Sequence, residues 1–124
     1  MTNLVDLETL QPFDVWGETV RARKIEGERI TLSVVELAPN ALVPEHRHEN
    51  EQLGLVIEGT VTFRLDGETR RLGPGGTWRI LSNRPHEVQA GPDGAVVLDV
   101  FNPTRSDWHQ PLLEPRQPVW PRRP

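Results

Sequence analysis

Turn residues recur along this chain too often to leave room for long helices. Twelve prolines and ten glycines are spread through 124 residues. A helix interior loses about 1 kcal/mol to each glycine and about 3 kcal/mol to each proline. What lies between the breaks has the composition of strands. "TVRARKI" (19–25) alternates weakly, and "RITLSVVEL" (29–37) follows the Gly27-Glu28 turn with a high density of β-branched residues. "APNA" ends that segment. "QLGLVIEG" (52–59) is a near-continuous apolar run, and "TVTFRLDGETRRL" (60–72) alternates Val61, Phe63 and Leu65 before Asp66-Gly67, a strong hairpin signal. "GPGG" (73–76) turns into "TWRIL", "NRP" into "HEVQA", and "GPDG" (91–94) into "AVVLDVF". Strands of roughly five to eight residues between such regular breaks predict an all-β antiparallel sandwich or barrel. No helix follows "GPGG" to offer a phosphate its N-terminus, so that segment is read as a turn.

The chain has the length of one domain, taken as 1–124 with a core over 19–101. Cysteine is absent, which removes disulfides, thiolate metal sites and thiol nucleophiles. The net charge of −4, with both signs interspersed, argues against nucleic acid as a partner. No segment has the character of a secretion signal or the length of a membrane span, so the expected location is cytoplasmic. Thirteen arginines against the single Lys24 reflect GC-rich codon usage at most positions. The tail over 109–124 carries prolines at 111, 115, 118, 121 and 124 and can be neither helix nor mid-sheet strand. Leu112, Leu113, Val119 and Trp120 are its apolar anchors, and it is expected to lie extended across its own barrel or a partner's.

Chemistry concentrates in "EHRHENEQLGLVIEG" (45–59). His46 and His48, two apart, would share one face of a strand with Cα atoms about 6.5–7 Å apart, close enough for two imidazoles to meet on one ion. Taken alone the pair is a weak signal, more often two surface histidines than a metal site. Glu45, Arg47 and Glu49 alternate with them, as solvent-facing residues should, and Gln52 has the same parity and a ligating amide oxygen. Gly54 and Val56 continue that face with small groups. In "NRPHEV", a turn at Pro85 aims His86 inward at the start of a strand.

These residues resemble the two motifs of the cupin superfamily. "H46-R-H48-x3-Q52-x6-G59" is similar to its first motif and "G76-x8-P85-H86" to its second, over about residues 30 to 101. The resemblance implies a cupin-type double-stranded β-helix, a small jelly-roll barrel. It also implies one divalent transition metal on His46, His48, Gln52 and His86, with Zn, Ni, Mn, Fe, Co and Cu not distinguished. Two positions depart from the pattern. Gln52 stands where glutamate is usual, and Ala90 where an asparagine is sometimes found. An amide in place of a carboxylate leaves the ion's charge uncompensated and removes a base beside it.

Asp99 interrupts the apolar run "VVLDVF", a costly place for a carboxylate unless it is paired or used. A solvent-facing edge position is the competing reading. "HENEQLGLVIEG", "FRLDGETRRLGPGG" and "LDVFNPTRSDW" look closer to the small cupins of pectin and alginate catabolism, which linearise 4,5-unsaturated uronates into open-chain keto acids. Carried over from that resemblance, Asp99, Phe101 and Arg105 are the catalytic positions: a proton shuttle, an apolar wall and a carboxylate clamp. The implied activity is a metal-dependent isomerase or lyase acting on a small anionic carbohydrate. An Fe(II) dioxygenase, a polyketide cyclase and a non-catalytic sugar-binding module are the alternatives. His109 is read as exposed and the four tryptophans as packing, with Trp78 at the cavity mouth as a further option. Leu53, Leu55 and Ile57 make the Gln52 strand apolar on both sides, so a homodimer is expected to cover the outer one.

Overall fold

The computed structural model describes residues 2–122. Eight antiparallel strands form one sheet: β1 (Phe13–Asp14), β2 (Val20–Glu26), β3 (Thr31–Leu37), β4 (Leu42–His46), β5 (Glu51–Leu65), β6 (Glu68–Leu72), β7 (Thr77–Ile80) and β8 (His86–Asn102). The order is β1-β2-β3-β8-β5-β6, with β4 also on β8 and β7 also on β5. Only a single turn of 3-10 helix, Leu7–Thr9, interrupts the β architecture among the described residues. Asp66 and Gly67 close the β5–β6 hairpin with φ of 50° and 79°, as a tight turn in a right-twisted hairpin needs.

The long strands β5 and β8 hold the barrel together. The first half of β5 pairs with β7 and the second half of β8, and its second half pairs with β6 and the first half of β8. The sequence predicts breaks at Gly59-Thr60 and Gly91–Gly94, but both strands run through them as bulges. The cause is close approach at the corner. Gly59 has φ +79°, and a Cβ there would lie 2.2 Å from the Gly94 carbonyl oxygen. Glycine thus marks a bend within a strand here, not its end. β4 has no counterpart in the sequence-based reading, because Pro44 disguises it. Its pairing with β8 is correspondingly irregular between Val43 and His46.

Val56, Val61 and Ile80, each 1% exposed, sit at the centre of the core. Burying a side chain of this kind contributes about 1.5–3 kcal/mol. Phe13, Phe101 and Trp108 cap the core in edge-to-face contacts with centroids 5.4 and 5.2 Å apart. The tail lies across its own barrel, but its predicted anchors are only partly right. Leu112, Val119 and Trp120 stay exposed, while Pro118 is buried. Polar bonds hold it instead. Buried Arg23 donates to the Arg116 carbonyl at 2.7 Å, Glu36 accepts from the Val119 amide at 2.8 Å, and Arg122 pairs with Glu58. Prolines leave the tail's carbonyls without internal donors, and Arg23 fills that need. Residues 123 and 124, Pro124 among them, lie outside the described residues. No helix among the described residues is long and apolar enough to cross a membrane.

Candidate metal centre and cavity

Three histidines converge at one end of the barrel. His46 ends β4, His86 begins β8 directly opposite it, and His48 lies in the loop leading to β5. The expectation that His46 and His48 share a strand face fails, because the strand stops between them. Convergence is achieved by the loop. Each imidazole turns its Nδ1 to a main-chain carbonyl two residues away: His46 to Pro44 at 2.9 Å, His48 to Asn50 at 3.0 Å, His86 to Arg84 at 2.8 Å. A carbonyl can only accept, so Nδ1 carries the hydrogen in all three rings and each Nε2 presents a lone pair. One ligand atom from each lies within 4.8 Å of the others, and the ring of His86 is 4.3 Å from that of His46 and 4.9 Å from that of His48. His86 Nε2 is the one buried side-chain nitrogen or oxygen without a hydrogen-bond partner among the described residues. Burial pushes the His86 pKa down to about 4. Burial, then the Arg105 charge, lowers that of His48.

Gln52 sharpens the picture. Its Nε2 donates to Asp99 Oδ1 at 2.8 Å, which fixes the amide orientation and turns Oε1 to His48 Nε2 at 3.1 Å. Two lone pairs therefore face each other at hydrogen-bond distance with no hydrogen between them. Only a second proton on His48 or a shared cation relieves this, and burial disfavours the proton. Three neutral imidazoles and an amide oxygen suit a divalent transition metal. The donor set fits the ion that the sequence implies.

Behind Gln52 stands Asp99, 7% exposed and on the inner face of β8. Trp78 Nε1 also donates to its Oδ1, at 2.8 Å. Burial pushes its pKa up to about 6, opposed by these two hydrogen bonds and by Arg105. Trp78 reaches Asp99 across Gly54, where a Cβ would lie 2.0 Å from the indole nitrogen. The room that glycine leaves beside the site is thus filled by the indole, which is buried instead of at the cavity mouth.

Arg105 completes the group. Its guanidinium stacks 4.8 Å from the Phe101 centroid and 4.4 Å from that of Trp108, while its amide donates to Thr31 Oγ1. Nε and Nη2 donate to the two oxygens of Asp107 at 2.9 and 2.8 Å. His46, His86, Gln52, Asp99 and Arg105 all line one cavity of about 210 Å³, a size for a monosaccharide-scale ligand.

The family model of the cupin domain matches residues 33–101, the span from β3 to the end of β8 that carries this site. The chain is a cupin. It is 27% identical to the pectin degradation protein KdgF of Dickeya dadantii (strain 3937) over 106 residues, 84% of this chain and 94% of that one. Among solved structures, KdgF from Halomonas sp. superposes with a TM-score of 0.78 at 25% identity, covering 86% of this chain and 98% of that one. The polyketide cyclase RemF of Streptomyces resistomycificus superposes with a TM-score of 0.71 at 27% identity, covering 83% and 80%.

Within this cupin, the residues singled out from sequence lie together. His46, His48 and His86 form the triad, Gln52 joins it to Asp99, and Phe101 packs edge-on to His48 at 5.8 Å. Asp99 faces inward, against the solvent-facing alternative, and His109 is exposed as expected. Three neighbours were missed. Trp16, read as packing, is 41% exposed on the cavity rim with its ring 5.5 Å from His46. Buried Asn50 donates to the Pro103 and Thr104 carbonyls while its own carbonyl orients His48, tying the histidine loop to the Arg105 segment. Asp107 holds the Arg105 fork. The spacing Arg105-x-Asp107 could have flagged it, whereas nothing local marks Trp16 or Asn50.

Proposed function

We propose that this cupin is a metal-dependent isomerase that opens a small acidic carbohydrate, a 4,5-unsaturated uronate, to its keto acid. The observation that carries the reading is the convergence of four neutral donors beside a buried carboxylate and a buried guanidinium in one small cavity. The likeness to a pectin degradation protein over most of the chain supports a pectin-derived substrate. His46, His48, Gln52 and His86 would hold a divalent cation, which would supply Lewis-acid polarisation of a substrate oxygen when bound.

The chain's own residues do the rest. Arg105 binds the carboxylate through a planar fork kept in place by Phe101 and Trp108. Asp99 takes the proton of the anomeric hydroxyl at Oδ2, since both of its hydrogen bonds named above fall on Oδ1. The bond between anomeric carbon and ring oxygen breaks as the anomeric carbon becomes a carbonyl, and the proton returns at C4 of the resulting enolate to give the keto acid. Substrate and product are isomers, so no oxidant or water is consumed. Phe101 walls the triad from the core. The same reading has the protein working as a cytoplasmic homodimer, with a second copy covering Leu53 and its exposed apolar neighbours on the outer face.

The test is turnover of an unsaturated galacturonate monosaccharide under nitrogen, followed by loss of the ultraviolet absorbance of its conjugated double bond. Turnover abolished by chelator and by Asp99→Asn is the expected result. Substrate-dependent oxygen uptake with iron bound would make the protein a dioxygenase, and tight binding without product a binding module. The likeness to RemF favours a cyclase as the second reading. A cavity of about 210 Å³ is small for a polycyclic substrate.

A further inference from the structure

Resting on the reading of Arg105 as the carboxylate holder, we infer that Asp107 is a built-in competitor for that position: it occupies the Arg105 fork until a substrate carboxylate displaces it, and so sets the site's selectivity for anions. The two partners are unequally held. Arg105 is buried, packed against the Phe101 and Trp108 rings and fixed through its amide to Thr31. The Asp107 side chain is 62% exposed and lines the same cavity. When a second carboxylate arrives, the arginine cannot follow Asp107 into water, but Asp107 can leave with little desolvation to overcome.

Charge explains why such a residue is useful. A guanidinium beside a centre that takes a divalent cation would be strongly unbalanced in the empty cavity. Asp107 adds a second negative charge to that of Asp99, and the Arg105 hydrogen bonds hold its pKa below the usual carboxylate range, so it competes as an anion. A substrate carboxylate replaces that charge one for one, through the same pair of parallel N–H···O bonds. A neutral sugar cannot, and it meets a fork already filled. Discrimination then arises from the exchange and not from Arg105 alone.

The experiment is a titration of the isotope-labelled full chain with D-galacturonate, a saturated uronate that cannot undergo the ring-opening, followed at the Arg105 Nε–H resonance. It does not depend on turnover, so it survives a failure of the uronate-isomerase reading. Asp107→Asn is expected to tighten galacturonate binding by roughly two- to five-fold, the scale of a partly exposed ion pair removed from competition. Affinity for D-galactose should stay unchanged, and in Arg105→Gln, followed at the indole N–H resonance of the neighbouring Trp108 instead, the galacturonate effect should be lost. Weaker binding in Asp107→Asn would overturn the inference and make Asp107 a positioning residue for Arg105. Unchanged affinity, or no Arg105 shift on adding galacturonate to either protein, would overturn it too. Thermal melts of both variants verify that they are folded, which the exposure of Asp107 favours.

Discussion

Two neighbouring rows of residues cross the same strands and invert the usual polarity of a barrel. The inner row runs Ser33, Asp99, Gly54, Trp78 across β3, β8, β5 and β7. The next row, on the outer face, runs Ile25, Leu32, Val100, Leu53 across β2, β3, β8 and β5. The inner row buries a carboxylate and a hydroxyl, while the outer row leaves Ile25, Leu32 and Leu53 at 49, 38 and 52% exposure. Alternation along a strand with period two ordinarily puts apolar groups inside and polar groups out. Reversing it costs stability on both faces. The inner cost is met by a closed network, since Asp99 accepts from Gln52 and Trp78 and Ser33 Oγ donates to the Asp99 carbonyl. The outer cost is met only if something covers the row. Both rows depart from what folding alone favours.

The sharpest way to break the inner row is Asp99→Asn. The amide oxygen still accepts from Gln52 and Trp78, so the fold is retained while the proton shuttle is lost. Turnover of the unsaturated uronate should fall by about 10²–10⁴-fold, measured as initial rates beside the wild type. His86→Ala comes next. Elemental analysis should find the near-stoichiometric metal of the wild type lost from the variant, and retention of metal would dissolve the triad as a site.

The same Asp99→Asn variant carries a pH prediction. Asp99 has a folded pKa raised to about 6 from an ordinary value of 3.8, so it binds its proton more tightly in the folded state. Its contribution to stability is present below 3.8 and is lost as pH rises through 6. The variant should therefore gain on the wild type between pH 4 and pH 8, by on the order of 2 kcal/mol. Denaturant unfolding of metal-free protein at the two pH values measures it, and a pH-independent difference would contradict the buried-charge account. Gly54→Ala tests the packing behind Asp99. Its Cβ would lie 2.0 Å from Trp78 Nε1, and the collision should destabilise the fold by about 1–3 kcal/mol and raise the Asp99 pKa by displacing a donor.

The outer row is tested by Leu53→Lys, with the smallest expected effect on the single chain. Light scattering should find the wild type dimeric and the variant monomeric, with turnover per chain retained. A monomeric wild type would mean that the exposed row is covered by something other than a second copy.

Much of the site was legible because its members announce themselves by local pattern. The histidine pair at 46 and 48, the proline before His86 and a lone aspartate in an apolar run are all read within a few residues. Asn50, Trp16 and β4 were not, because what they do depends on partners far along the chain. Asn50 matters through carbonyls 53 and 54 residues away, and β4 is a strand only by pairing with β8. The glycine-rich corners misled in the other direction. Gly59 and Gly94 look like the ends of strands, whereas they let two long strands cross in contact.

By itself, the sequence determined the all-β barrel, the cupin motifs and the set of donors, because turn chemistry, period-two patterning and ligand type are local properties. Tertiary structure decided which atoms those donors offer and which groups they face. Main-chain carbonyls turn every Nδ1 away from the centre, Asp99 orients the Gln52 amide, and Asp107 fills the Arg105 fork. Hydrogen bonds and ion pairs are set by distances of a few tenths of an ångström between chain segments. Only the folded barrel brings those segments together.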